Sequence, residues 1–259
     1  MYDMGPDSAG VMDTLAARGV DTLEWVLLSH NHRDHAGGFM EIAGSVRAGD
    51  GLFWAGDAPL EAGSFRVGDA PRVHVRRLYV GPDTSGGFIR DSVLTLAHGF
   101  GIPVDTLVRG DALGLFSGSG DAPRFDVLWP PDYVREGGNP ASVVVRVELG
   151  AASMLLTGDL DTAGERRLLE LSPTLSADLL QVPHHGSAGS SSLRFIAQVA
   201  LGYAVASVGA GNNYGHPRED VVRKYAYVLG DTARFFRTDL QGSVGFEMWP
   251  DIGVVVGSD

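Results

Sequence analysis

Short apolar runs separated by glycine- and aspartate-rich turns make up most of the chain. Val11 to Arg18 has a helical pattern that ends at Gly19, and Leu23 to Leu28 reads as a buried strand. That run stops at Ser29-His30-Asn31-His32, after which Gly37-Gly38 and Phe39 to Ile42 suggest a turn and a short helix. Arg47 to Asp69 has few periodic cues. Arg72 to Val80 alternates as a strand does, and Phe88 to His98 has helical spacing up to Gly99. Strands are predicted at Val104 to Val108, Leu113 to Phe116 and Phe125 to Trp129. After a Pro/Gly/Asn loop from Pro130 to Pro140, Ser142 to Leu149 and Ser153 to Thr157 form a predicted hairpin over Gly150-Ala151-Ala152. Helices at Thr162 to Leu171, Leu193 to Val199 and Glu219 to Leu229 then alternate with strands at Ala177 to Val182, Tyr203 to Val208 and Arg234 to Arg237. Ser243 to Trp249 is the last predicted strand. Many strands with interspersed helices and no internal repeat predict one α/β domain with mixed sheets.

Composition narrows the chemistry. The 259 residues include 20 Lys+Arg against 32 Asp+Glu, a formal charge of −12, which argues against a broad basic nucleic-acid clamp. It leaves room for a local site where metal ions supply positive charge. The chain has no Cys, so disulfides, thiolate zinc sites and cysteine nucleophiles are excluded. No G-x-S-x-G string marks a serine nucleophile. No apolar run approaches the roughly 20 residues that span a bilayer, and no signal segment opens the sequence. The expected location is the cytoplasm, or a detached domain of a membrane protein.

Six of the eight His fall in three clusters at the ends of predicted strands or in glycine-rich turns, where a ligand is held yet reachable. In His30-Asn31-His32-Arg33-Asp34-His35, three imidazoles and a carboxylate can serve two adjacent divalent metals. Leu155-Leu156-Thr157-Gly158-Asp159 is a buried strand ending in a carboxylate able to bridge two metals. His184-His185 in Val182-Pro183-His184-His185-Gly186-Ser187, and His216 in Asn212-Asn213-Tyr214-Gly215-His216-Pro217, each allow a plain turn reading. Together they complete the ligand count that two metals need. The other two His are structural: His74 is predicted to face solvent between Val73 and Val75, and His98 to end a helix.

With these residues in hand, the chain resembles the metallo-β-lactamase fold superfamily, and within it the hydrolase domain of ComEC-type competence proteins. The strings LLSHNHRDHAGG, LLTGDL, VPHHGS, NNYGHP and RTDLQGSVGF carry the likeness, in that order, over nearly the whole chain. The resemblance implies an α/β fold, the αβ/βα sandwich of two mixed β-sheets flanked by helices, spanning 1–259 as a single domain. It also implies a dinuclear site, usually zinc, with manganese as the alternative. His30 and His32 match ligands of one metal, Asp34 and His35 those of the other. Asp159 matches the bridging carboxylate and His216 the late His of the second metal.

The interval where many members carry a further His offers only His74, His98 and Asn139. The likeness to the branch with a PHHG motif therefore gives His185 to the first metal and His184 to proton transfer or phosphate contact, with the exchange of these two as the alternative. Asp34 and His184 are the candidate catalytic residues, and Asp3, Ser187 and Asn213 the candidate supports behind the ligands. Asp3-Met4-Gly5 stands where the family places a D-x-G motif after one or two strands, so those strands are expected to be missing and the natural protein to be longer.

The expected activity is hydrolysis of a phosphodiester, DNA being the substrate the resemblance implies. Two cations bring the pKa of a shared water to about 7. A lactam, lactone or thioester hydrolase, or a non-catalytic module that keeps the fold, is the alternative.

Overall fold

Charge decides where the apolar runs break. The predicted strand Leu23 to Leu28 divides at Glu24-Trp25, and the predicted strand running to Val80 divides at Arg76-Arg77. The two breaks lie opposite each other, because Glu24 and Arg76 are exposed and pair at 3.0 Å. Apolar residues continue on either side, so both strands interrupt at one level.

The computed structural model describes residues 1–6, 10–42, 47–48, 51–52, 65–66, 73–83, 87–113, 122–131, 137–172 and 175–257. Arg72 and residues 114–116 of two predicted strands lie outside them. The chain divides into two compact units, Met1–Leu107 and Val108–Asp259.

The first unit contains α1 (Val11–Ala17), β1 (Thr22–Leu23), β2 (Val26–Leu28), α2 (Arg33–Ala36), α3 (Gly38–Ile42), β3 (Arg47–Ala48), β4 (Gly51–Leu52), β5 (Phe65–Arg66), β6 (His74–Val75), β7 (Leu78–Val80), α4 (Phe88–Gly99) and β8 (Val104–Thr106). β1 pairs with β6, and β2, β7 and β8 form a parallel sheet in that order. Tyr2 adds a parallel bridge to Leu27. Val26 and Leu28 are fully buried with Phe39, Leu78, Val93 and Leu96, so α4 lays one face on this sheet. His74 is exposed between buried Val73 and Val75, and His98 is exposed in the last turn of α4, as predicted.

The second unit contains β9 (Ala112–Leu113), β10 (Arg124–Trp129), β11 (Val144–Leu149), β12 (Ala152–Leu156), α5 (Thr162–Leu171), β13 (Leu179–Gln181), α6 (Leu193–Val199), β14 (Tyr203–Ala206), α7 (Glu219–Leu229), β15 (Phe235–Arg237), α8 (Thr238–Gln241), β16 (Phe246–Trp249) and β17 (Gly253–Val256). Among the described residues the main sheet runs β15-β14-β13-β12-β11-β10-β9. It is antiparallel from β9 to β12 and parallel from β12 to β15. The three helices α5, α6 and α7 form the crossovers between the parallel strands, which is what parallel pairing requires. Leu155, Leu180, Phe195, Ile196, Val199, Ala204 and Tyr225 fill the core between sheet and helices. β16 and β17 form a hairpin whose Val254 packs on Ala152 and Leu179. No predicted element covers α8 or β17, although a Pro250-Asp251 turn followed by Val254-Val255-Val256 is a hairpin signal. No helix among the described residues is long and apolar enough to cross a membrane.

One buried carboxylate locks these crossovers. Glu165 in the first turn of α5 has no exposed surface. It accepts the Ser191 N–H and, at 2.9 Å, the Ser192 N–H, just before α6. Burial pushes its carboxyl up against the opposing pull of Ser192, Ser191 and Lys224. The folded chain therefore keeps a proton at pH values where the unfolded chain has lost it, and stability falls as pH rises through that interval. Glu165→Ala leaves two buried N–H groups without an acceptor. We expect a loss of about 1–3 kcal/mol in urea unfolding and the disappearance of that part of the pH dependence. Unchanged unfolding would show that the carboxylate carries no such role.

Candidate metal centre

In both units the candidate ligands follow parallel strands, where the strand's C-terminal end stops and the chain turns. In the first unit β2 ends at Leu28 and delivers Ser29 and His30, both buried. His32 caps α2 in extended conformation, and Asp34 and His35 lie inside it. Asn31 holds the turn by donating to Asp83 Oδ2 at 3.0 Å, and Asp83 is itself buried. Asp83 ends the Val80-Gly81-Pro82-Asp83 segment after β7 and was missed; its signal was a carboxylate in a strand-end turn.

Asp3 fixes the imidazoles. Its backbone is left-handed at φ 49°. Its carboxylate accepts from Ser29 N at 2.6 Å, Ser29 Oγ at 2.8 Å and His35 Nδ1 at 2.8 Å. A carboxylate only accepts, so His35 carries its proton on Nδ1 and its lone pair on Nε2. The Ser29 hydroxyl gives its one proton to Asp3. Toward His30 Nδ1, 3.1 Å away, it is then an acceptor, which leaves the His30 lone pair on Nε2 as well. Glycine makes the strap possible: Gly38 donates to Gly5 O at 2.8 Å, and a Cβ there would overlap the Met4 carbonyl. The His30 ring lies 4.5 Å from His32 and 4.3 Å from His35. Asp34, half exposed, is 3.9 Å from His35 Nε2. His30 and His32 offer donor atoms within 4.8 Å of each other, and so do Asp34 and His35.

In the second unit three consecutive parallel strands each deliver a ligand segment. Asp159 follows β12, is buried, and donates its N–H to Ser142 Oγ at 3.1 Å. Thr157 staples this turn to β13 through Gln181, donating N–H to Oε1 at 3.1 Å and Oγ1 to the carbonyl at 2.8 Å. After β13 the chain turns through His184 (φ 51°), His185 (φ 53°) and Gly186 (φ 80°), three left-handed residues in a row. For the two His this costs roughly 1–2 kcal/mol each. The turn is held by His184 N to Gly158 O at 3.0 Å, Ser190 Oγ to Pro183 O at 2.8 Å and Arg218 N to Gly186 O at 2.9 Å. At Gly186 a side chain would overlap Pro217.

The two imidazoles differ. His185 donates Nδ1–H to the Ser207 carbonyl at 2.7 Å, and its Nε2 faces Asp159 Oδ1 at 3.4 Å. Two acceptors at that distance call for a proton or a metal cation between them. His184 Nε2 lies 3.5 Å from Asp159 Oδ2 and 3.1 Å from Asn139 Nδ2. Asn139 is set in a 3₁₀ turn whose Pro140 carbonyl accepts the Trp129 indole N–H at 2.8 Å. An amide offers NH₂ or, rotated, C=O, so it accommodates His184 in either protonation state.

His216 is clamped at both backbone groups by Asn212, whose Oδ1 accepts the N–H at 3.0 Å and whose Nδ2 donates to the carbonyl at 2.8 Å. Its Nδ1 is buried with no hydrogen-bond partner among the described residues. Burial, reinforced by His184, His185 and Arg218, holds its imidazole below the usual range, so it stays in the neutral form that ligates metal. The expected support Asn213 is exposed, and the clamp belongs to its neighbour Asn212. The Ser187 hydroxyl accepts the Gly189 N–H at 3.3 Å and, among the described residues, has no hydrogen bond to an imidazole; its N–H donates to the His184 carbonyl at 2.8 Å. Imidazoles beside carboxylates, with one nitrogen committed at His30, His35 and His185, form a donor set suited to divalent cations of the zinc and manganese type.

The family model for the Metallo-beta-lactamase superfamily matches residues 1–210. The chain belongs to this superfamily, and with it to the metal-dependent hydrolases. It is 28% identical over 243 residues to ComE operon protein 3 of Bacillus subtilis (strain 168), covering 92% of this chain and 26% of that protein. It is 30% identical over 250 residues to Competence protein ComA of Neisseria gonorrhoeae, covering 95% of this chain and 29% of that protein. The chain thus spans under a third of the length of these curated relatives. The crystal structure of Tm1679, a metal-dependent hydrolase of the beta-lactamase superfamily, shares the fold with a TM-score of 0.50 at 12% identity, covering 91% of this chain and 84% of that one.

Asp3→Asn keeps the shape of the side chain but replaces one of its two acceptor oxygens by an NH₂ donor, so no rotation of the amide accepts from Ser29 N–H, Ser29 Oγ and His35 Nδ1 together. We expect divalent-metal affinity, measured by chelator competition, to fall about 10–100-fold while circular dichroism stays native. Unaltered affinity would show that Asp3 does not orient the ligands.

Proposed function

We propose that the chain is a phosphodiesterase of the superfamily that cleaves nucleic-acid strands, DNA foremost. The observation that carries this reading is the unlike pair on one turn: His185, fixed as a lone-pair donor by the Ser207 carbonyl, and His184, beside an amide that suits both of its protonation states. A phosphodiester releases an oxygen that must be protonated as its bond to phosphorus breaks. The likeness to ComEC-type competence proteins, with Competence protein ComA matched over 95% of this chain, supports DNA as the substrate class.

His30, His32, Asp34, His35, Asp159, His185 and His216 hold two divalent ions in this reading, zinc first and manganese second. When bound, the ions supply Lewis acidity toward the phosphoryl oxygens and make water acidic enough to attack at neutral pH. The residues do the rest. Asp34, half exposed, accepts a proton from the attacking water. His184 donates its proton to the departing sugar oxygen, and Asn139 steadies the ring through the change. Asp3 and Ser29 keep His35 and His30 in the tautomer that presents Nε2.

Bis(p-nitrophenyl) phosphate and oligonucleotides should be hydrolysed, and nitrocefin and acyl lactones should not; the opposite pattern would replace the reading. Plasma mass spectrometry should find about two metals per chain. Asp159→Ala should lose at least one of them, and unchanged occupancy would sink the two-metal assignment. His185→Ala should lower metal content together with activity. His184→Ala should keep the metals and cost about 10²–10⁴ in rate, and reversed phenotypes would exchange the two roles.

A further inference from the structure

The loop that presents His216 carries two side chains that the hydrolytic reading leaves idle. Tyr214 is 78% exposed, although an aromatic ring gains from burial. It is not loosely placed, because its ring stacks on the His216 imidazole at 5.8 Å with an interplanar angle of 21°. Arg218 is exposed, and among the described residues it has no carboxylate partner. Its guanidinium lies beside Gly215, the residue between the two rings: a Cβ at Gly215 would lie 3.3 Å from Arg218 Nη1. Gly215 also takes φ 68°, so a bare α-carbon serves both the turn and the guanidinium. Asn212 pins the loop from behind through both backbone groups of His216.

The result is an open aromatic face stacked on His216 and, beside it, a cation with no carboxylate partner among the described residues. Other arginines of this unit are committed to carboxylates, among them Arg124 to Asp126, Arg146 to Glu148 and Arg237 to Asp239. A flat π-face beside a guanidinium matches one ligand chemistry, an unstacked nucleobase with its phosphate. Every base has a face that stacks on tyrosine, and arginine pairs with phosphate oxygens through its fork of N–H donors. A duplex keeps its bases stacked on each other, so the match is to a single strand or a splayed end.

Resting on the phosphodiesterase reading, we propose that Tyr214 and Arg218 form a nucleotide-binding edge beside His216. Tyr214 stacks the base of a nucleotide flanking the scissile bond, and Arg218 takes a phosphate of the same strand. The substrate is then a single-stranded nucleic acid, recognised through base faces without readout of base edges.

The test compares two fluorescein-labelled oligonucleotides of equal length and charge, one of thymidines and one of abasic tetrahydrofuran units. Binding to the full chain is followed by anisotropy under chelator, and cleavage is followed with metal restored. The native protein should favour the base-bearing strand roughly tenfold or more in both readouts. Tyr214→Ala should bring that ratio to about one, and Tyr214→Phe should restore it. A loss of metal ligation through His216 would lower cleavage of both strands alike and leave the ratio standing. Arg218→Gln should weaken binding of both strands and reduce the slope of log K against log salt by about 0.7, the value for one lost phosphate contact on a single strand. A native protein that cleaves both strands equally, or a preference that survives Tyr214→Ala, overturns the inference alone. A native protein that cleaves neither strand while turning over a lactone or lactam overturns the phosphodiesterase reading, and this one with it.

Discussion

An imidazole nitrogen that holds a proton cannot also offer a lone pair, and everything at the candidate centre follows from that restriction. A histidine whose other nitrogen is taken by a fixed partner has its tautomer set, and three of the candidate ligands have one. His35 has the Asp3 carboxylate, His30 the Ser29 hydroxyl, and His185 the Ser207 carbonyl. These partners differ chemically, but each lies at a backbone position that the fold fixes. Asp3 is the strongest of them, because one carboxylate sets two histidines, His35 directly and His30 through Ser29. A water molecule in its place could donate or accept, and would leave the tautomer open.

Fixed partners need fixed backbone, and parallel strands supply it. In the second unit β12, β13 and β14 end side by side, so Asp159, His184-His185 and the segment leading to His216 leave one sheet edge together. The left-handed run at His184, His185 and Gly186 is costly for the two histidines, and the hydrogen bonds from His184, Ser190 and Arg218 offset that cost. A straight strand would have sent His184 and His185 to opposite faces. The strain is what turns neighbouring residues into two differently partnered imidazoles on the same carboxylate. Glu165 supports this indirectly, since the Ser191-Ser192 backbone it holds is contiguous with Ser190, whose hydroxyl grips Pro183.

What the sequence reveals and what it hides separate along one physical line. Helices α5, α6 and α7 occupy the predicted residues because an amphipathic period, closed after α5 by Ser172-Pro173, is a local signal. The histidine clusters are legible because residue type and spacing carry the chemistry within a few positions. The breaks between β1 and β2 and between β6 and β7 depend on Glu24 meeting Arg76 across two paired strands, and no local window contains both. Asn212 and Asn213 are indistinguishable as letters; only the turn at Gly211, with φ 70°, decides which one closes on His216. Asp83 and Glu165 are hidden for the same reason, since each becomes a support only when a distant turn is brought to it.

Charge adds a constraint of its own. A chain with a net charge of −12 repels a polyanion at long range, so binding of a nucleic acid by surface potential alone is disfavoured. Of its 20 basic residues only Lys224 is a lysine, and many of the arginines are tied to carboxylates within hydrogen-bond reach. Those pairs contribute little stability at the surface, but they remove the cations from any phosphate-binding role. Selectivity for a phosphodiester in such a molecule has to come from short-range contacts at the centre itself. That condition favours exposed cations without a carboxylate partner, as Arg218 is among the described residues, and a stacking surface, which does not depend on charge, of the kind Tyr214 presents.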